Sequence, residues 1–255
     1  MKSKVTNGTF SYKKDIGKVR LTNEDEAKIL VNSKSNVLMM VADGMGGENK
    51  GDYASIKVIN TLANAFKDRK NFISKIDVLC FLKKYLRIAN KEIYDLSLSN
   101  PIYKGMGTTI VIAFLYKNYL IVANSGDSRC YILDNHKLKQ LSEDQTYVRF
   151  LFNSGQIKED EMRTHPDRHV LINAIGIYPS LSVDIKVYKY NKESILLCSD
   201  GLFNNVNLPD IENILNTDDD TVTKVNSLIS VANYNGGSDN ISIALWEPLK
   251  NDSYK

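Results

Sequence analysis

Three short apolar runs in this chain end the same way, on an aspartate beside a glycine. Val37-Leu38-Met39-Met40-Val41-Ala42 runs into Asp43-Gly44, Leu120-Ile121-Val122-Ala123-Asn124-Ser125 into Gly126-Asp127, and Ile195-Leu196-Leu197-Cys198-Ser199 into Asp200-Gly201. A fourth acid, Asp239, stands in Gly236-Gly237-Ser238-Asp239-Asn240, just ahead of Ile241-Ser242-Ile243-Ala244-Leu245-Trp246. Nearly continuous apolar runs of this length read as strands buried on both faces. Strands that deliver carboxylates to their ends can build an oxygen-rich cation site, and glycine lets the backbone turn and a ligand approach. The pattern therefore constrains both the fold and the chemistry.

Bulk properties narrow the choices. A length of 255 residues allows one large domain or two small ones, and no low-complexity linker or internal repeat divides the chain. A net charge of +3, with no dense Lys/Arg block, argues against nucleic acid. Lys67-Asp68-Arg69-Lys70 reads as a solvated helix end. Cys80, Cys130 and Cys198 are odd in number, scattered and within apolar segments, which suits a reducing compartment rather than a disulfide framework. Met1 to Gly8 lack the apolar core of a signal peptide, and no apolar run approaches the ~20 residues that span a bilayer. A cytoplasmic monomer, away from membranes, is the expectation.

Along the chain, Thr9–Asp15 and Asn36–Ala42 read as strands. Ala54, Val58, Leu62, Ala65 and Phe66 share one helical face, and Val78, Leu82, Leu86, Ala89, Ile93 and Leu96 share another. Two hairpins follow, Thr108–Tyr116 with Tyr119–Ser125 and Cys130–Leu133 with Lys137–Leu141. Residues 145–179 form a polar, irregular insert with short helical pieces. Strands at Ser182–Tyr190 and Ser194–Ser199, helices at Pro209–Asn216 and Thr221–Asn235, and a last strand at Ile241–Trp246 complete the reading. Asp220 is a candidate N-cap for the last helix. Without β-α-β alternation a parallel sheet is not expected. The expected class is α+β, a four-layer α-β-β-α sandwich of two mostly antiparallel sheets flanked by helices.

Four aspartates at strand ends, with histidines only at 136, 165 and 169, favour Mg²⁺ or Mn²⁺ over zinc. Two such ions can activate a water for attack on a phosphate ester, and an arginine can clamp the phosphoryl oxygens. Gly17-Lys18-Val19-Arg20-Leu21-Thr22-Asn23-Glu24-Asp25 offers that arginine beside two acids. Further motifs follow in order: Asp43-Gly44-Met45-Gly46-Gly47, Gly107-Thr108-Thr109, Gly126-Asp127-Ser128-Arg129, Leu141-Ser142-x-Asp144-Gln145, Ser199-Asp200-Gly201-Leu202 and Gly237-x-Asp239-Asn240-Ile241-Ser242. Together they resemble the metal-dependent protein serine/threonine phosphatases of type 2C in their compact bacterial form.

The resemblance covers about 9–246 and implies one phosphatase domain over 1–255, with a flap-like insert at about 145–179. It implies hydrolysis of phosphoserine and phosphothreonine in proteins by a hydroxide bridging two Mn²⁺ or Mg²⁺ ions, with no covalent phosphoenzyme. Asp43 would bridge the ions, the Gly44 carbonyl would bind one, and Asp200 and Asp239 would complete the second. Asp127, with Asp200, would hold a third. Arg20 would bind phosphate. Glu24 and Asp25 would act on the ions directly or through water, and Asn240 would orient the loop carrying Asp239. Met45 stands where the animal enzymes have histidine and cannot donate a proton, which leaves bound water, or His165 and His169 in the insert. A serine/threonine kinase of the same cell is the partner implied.

Each motif alone also has a bland reading, since aspartate and glycine favour turns wherever strands end. Gly105-Met106-Gly107 reads as a strand start packing beside the metal loops, and Trp246 as core or rim. Two other functions fit the same residues: a catalytically weak sensing or binding member of the fold, and a hydrolase for a small phosphorylated molecule.

Overall fold

The computed structural model describes residues 7–46, 50–69 and 71–249. Gly47 of the second motif, Lys70 and most of the N-terminal segment lie outside them. Among the described residues there are eleven strands: β1 Gly8–Asp15, β2 Asp25–Val31, β3 Val37–Met45, β4 Gly107–Thr108, β5 Ile110–Tyr116, β6 Tyr119–Ser125, β7 Arg129–Asp134, β8 Lys137–Gln140, β9 Asp184–Lys189, β10 Ser194–Cys198 and β11 Ile241–Pro248. The helices are α1 Gly51–Asp68, α2 Lys75–Ser99, α3 Tyr147–Asn153, α4 Asp200–Phe203, α5 Leu208–Leu215 and α6 Thr221–Tyr234. One sheet has the order β1-β11-β10-β7-β8; the other runs β2-β3-β5-β6-β9, with β4 on β3. The pairings within both are antiparallel.

Strand alternation sorts the apolar residues into layers. Val37, Met39 and Val41 of β3 face the other sheet's Ile195, Leu197, Ala244 and Trp246. Leu38, Met40 and Ala42 point the opposite way, onto α1 and α2 through Val58, Leu62, Leu82 and Leu86. In the sheet of β10 and β11, Leu196, Cys198, Ile243 and Leu245 turn to α4, α5 and α6. The four layers are therefore helices, sheet, sheet and helices. Central strands are apolar throughout because both of their faces are covered.

The expected elements form, with two additions. β2 alternates buried Ala27 and Ile29 with half-exposed Glu26 and Lys28, as an edge strand with one covered face does. Its charged residues interrupt the apolar run that marks the inner strands. α4 is a single turn, too short for periodicity to show. Asp220 caps α6, accepting the Thr223 N–H at 2.7 Å. Trp246 is core, at 1 % exposure.

Two local readings change. Arg69 is not simply solvated, since its guanidinium pairs with Asp77 and lies 4.6 Å over the Phe72 ring. Cys80 is exposed on α2, whereas Cys130 and Cys198 are buried, and all three are free thiols. The insert is tied to the body at its return. Thr108 and Ile175 exchange backbone hydrogen bonds of 3.0 and 2.8 Å. The buried Asn90 of α2 accepts from Gly176 N and donates to the Tyr178 carbonyl. Among the described residues no helix is long and apolar enough to cross a membrane.

Candidate metal centre

Both sheets send aspartates to one end of the sandwich. Asp25 opens β2 and is the direct ladder partner of Asp43 near the end of β3. Asp127 lies in the turn between β6 and β7, Asp200 begins α4 after β10, and Asp239 precedes β11. The charges of Asp25, Asp127, Asp200 and Asp239 all act on Asp43.

Backbone and hydroxyl groups hold these acids in place. Asp43 N donates to Thr109 Oγ1 at 3.0 Å, while the Asp43 carbonyl accepts from Thr109 N and Thr108 Oγ1. The glycine-rich start of β4 thus packs against Asp43. Ser199 Oγ donates to Asp25 Oδ2 at 2.6 Å and accepts from Ser242 N at 2.8 Å, joining the two sheets beneath the site.

Close approach explains two of the glycines. A Cβ on Gly44 would lie 2.1 Å from the Gly51 carbonyl oxygen, and one on Gly201 would lie 2.0 Å from that of Asn240. Neither contact is sterically tolerable.

The remaining site candidates have distinct places. Glu24 accepts the Gly51 N–H at 3.3 Å, putting its carboxylate at the N-terminus of α1, where the helix dipole favours an anion. The Asn240 side chain reaches the segment before β2. It accepts from Glu24 N at 2.8 Å and donates to the Ile16 and Thr22 carbonyls at 2.9 Å. It therefore shapes the loop that carries Arg20, while its backbone N–H holds Asp239 Oδ1 at 2.8 Å. Arg20 Nη2 meets Asp239 Oδ2 at 2.8 Å, and its side chain is 55 % exposed. That bond, with the charges of Asp200 and Asp43, holds the guanidinium firmly protonated. Met45 pairs with Gly107 in the β3–β4 ladder. Of the insert histidines, His169 has its pKa lowered by burial and by Arg168, with Asp239 opposing, while His165 Nδ1 accepts the Asp167 N–H at 3.1 Å.

The electrostatics are those of a site short of positive charge. Asp43, Asp127 and Asp200 keep some solvent contact but are surrounded by protein, and Asp25 is 1 % exposed. Burial, then the Asp200 charge, pushes Asp25 up to about 7 and Asp127 up to about 8. Burial and Asp239 raise Asp200 to about 6. Burial and Asp25 hold Asp43 well above the usual carboxylate range. Asp43 and Asp200 are within hydrogen-bonding reach when one is protonated. With both ionised, Asp200 Oδ1 has no partner, and neither has the buried Asp25 Oδ1.

Two guanidiniums act on Asp200, but both are already engaged, Arg20 by Asp239 and Arg129 by Asp144. The unsatisfied oxygens fit a hard divalent cation. Among the described residues no group of three or more His, Cys, Asp or Glu is arranged to hold an ion by itself. Mg²⁺-type sites commonly take one or two carboxylates and fill the rest with carbonyl and water, so the donor set suits such a cation.

The protein phosphatase 2C family model matches residues 18–239. The chain belongs to the protein phosphatase 2C family. It is 36 % identical over 237 residues to the serine/threonine phosphatase stp of Listeria monocytogenes, covering 92 % of this chain and 94 % of the relative. The crystal structure of serine/threonine phosphatase Stp1 from Staphylococcus aureus superposes with a TM-score of 0.90 at 30 % identity, over 96 % of this chain and 97 % of that one. The catalytic domain of the phosphatase PstP, solved in complex with two manganese ions, superposes with a TM-score of 0.83 at 28 % identity, over 95 % of this chain and 99 % of that one.

Two residues of this 2C-type chain had no role in the sequence reading. Arg129 and Asp144 belong to separate motifs, yet they form a fork through Nε and Nη2. The signal was available. The hairpin centred on Asn135-His136 brings the two ends together, and these carry opposite charges.

Proposed function

We propose that this type 2C phosphatase removes phosphate from phosphoserine and phosphothreonine in proteins, using Mn²⁺ or Mg²⁺ held by the aspartate cluster. The observation that carries this reading is the cluster itself: buried carboxylates from two sheets, with unpartnered oxygens, whose nearby guanidiniums are already paired. Asp43 would be shared by two ions, the Gly44 carbonyl would bind one, and Asp200 and Asp239 would complete the other. Asp127, beside Asp200, would hold a third. Such ions supply Lewis acidity toward phosphoryl oxygens and bring the pKa of a water near 7.

The chain's own groups supply orientation. Asp239 engages Arg20 through Nη2. A guanidinium has five N–H donors, so others remain for phosphoryl oxygens at the solvent-open rim. Asp25 places its carboxyl group next to Asp43, and Ser199 fixes its orientation. Glu24 and Asn240 hold the start of α1 and the segment before β2 beside the cluster. The residues of this cluster are drawn from strands and loops along the whole chain, which supports a single domain with 145–179 as a flap; we read the enzyme as a monomer. Three free thiols support a reducing cytoplasm. The biological counterpart is a serine/threonine kinase whose phosphorylation this enzyme reverses.

The test is turnover by the pure protein. Mn²⁺-dependent, EDTA-sensitive hydrolysis of a phosphothreonine peptide is expected, with nucleotides cleaved poorly. No metal-dependent turnover would favour a sensing module. Preference for a nucleotide would replace the substrate class.

A further inference from the structure

We propose that Arg129 is a positioning residue that fixes α4, and through it Asp200, for metal binding. This rests on the metal-site reading above. α4 is one turn long, Asp200–Phe203, and a helix of that length does not sustain itself in water. Its first residue is Asp200 and its last is Phe203. Leu202 anchors one side of the turn in the core, and Gly201 lies tight under Asn240. Phe203 is held from the other side, where the Arg129 guanidinium lies 3.5 Å from the ring centroid.

That guanidinium is fixed in its plane. Nε donates to Asp144 Oδ1 at 3.0 Å, Nη2 to Asp144 Oδ2 at 2.6 Å, and Nη1 to Tyr131 Oη at 3.1 Å. Gln140 Nε2 donates to Asp144 Oδ1 at 2.8 Å and steadies the acceptor. Arg129 also stands opposite Cys198 in the β7–β10 ladder, two residues before Asp200. One planar group therefore ties β7, the segment after β8 and α4 together, at the point where Asp200 leaves the sheet. Lysine carries the same charge but has neither the fork nor the flat face.

The experiment compares Mn²⁺ binding by calorimetry in the parent, Arg129→Lys and Phe203→Leu, with thermal unfolding as the folding check. Loss of a group that orients a ligand costs roughly 10–100-fold in metal affinity. Both variants are expected to bind Mn²⁺ at least ~10-fold more weakly than the parent. At saturating Mn²⁺ their KM for p-nitrophenyl phosphate should stay close to the parent value, because neither side chain reaches phosphate. Arg20→Ala, which removes a phosphate-facing guanidinium, should by contrast raise KM. Parent-like Mn²⁺ affinity in a folded Arg129→Lys would overturn the inference. If that variant does not fold, parent-like affinity in Phe203→Leu does so instead. A parent that binds no Mn²⁺ removes the metal-site reading, and this inference with it.

Discussion

Asp25 and Asp43 face each other in register across the β2–β3 ladder, two carboxylates on the same face of an antiparallel pair. Like charges placed directly opposite destabilise a sheet. Here one of them is also fully buried, with Ser199 donating to one carboxylate oxygen and the other oxygen left without a partner. The metal-free protein therefore stores repulsion at its functional end. Asp25→Asn removes one of the charges while keeping an acceptor for Ser199. We expect it to stabilise the metal-free protein at pH 8 by about 2 kcal/mol or more and to weaken Mn²⁺ binding. Urea denaturation with EDTA, and calorimetry with Mn²⁺, check the two halves.

The pH dependence of stability has a definite sign. Folded-state values of about 6, 7 and 8 for Asp200, Asp25 and Asp127 lie above the ordinary carboxylate value near 4. Between those limits the folded state binds more protons than the unfolded state, so stability falls as pH rises. In EDTA the midpoint of thermal unfolding should drop from about pH 5 to about pH 8. Cations that replace those protons should raise the midpoint more at pH 8 than at pH 5. An equal Mn²⁺-induced shift at both pH values would contradict this account.

Asp200→Asn should cut phosphatase activity by about two orders of magnitude or more while leaving the circular dichroism spectrum unchanged. Burial and the Asp239 charge already disfavour its ionised form, and one of its oxygens has no partner, so losing the charge does not remove support from the metal-free fold. A near-normal rate would take Asp200 out of the site.

Arg20→Ala should raise KM more than it lowers kcat, because a half-exposed guanidinium at the rim binds phosphate in the ground state as well. Steady-state kinetics on p-nitrophenyl phosphate measure the split. An unchanged KM would contradict the phosphate-binding role.

Gln145 ties the insert to the Asp127 turn. Its Oε1 accepts from Gly126 N at 3.1 Å and from Asn173 Nδ2 at 2.6 Å, and Asn173 also donates to the Ser182 carbonyl. Gln145→Ala should loosen the insert and speed tryptic cleavage at Arg149, Lys158 or Arg168 several-fold, a local opening rather than global unfolding. Mass spectrometry of timed digests would show it, and parent-like cleavage would contradict the tie.

The order of the motifs along the chain was enough to read the family. The apolar runs of β3, β6 and β10 were enough to read strands buried on both faces, because one-dimensional patterning survives wherever a strand is covered on each side. β2 and α4 escaped that reading, since an edge strand carries charges and a four-residue helix has no period. Sequence also marked each aspartate separately. Tertiary structure alone decided that Asp25 stands against Asp43, that Ser199 bridges the sheets beneath them, and that Arg129 is already spent on Asp144. Those relations join residues from different strands and sheets, and their energies depend on burial and distance. Spacing along a chain encodes neither.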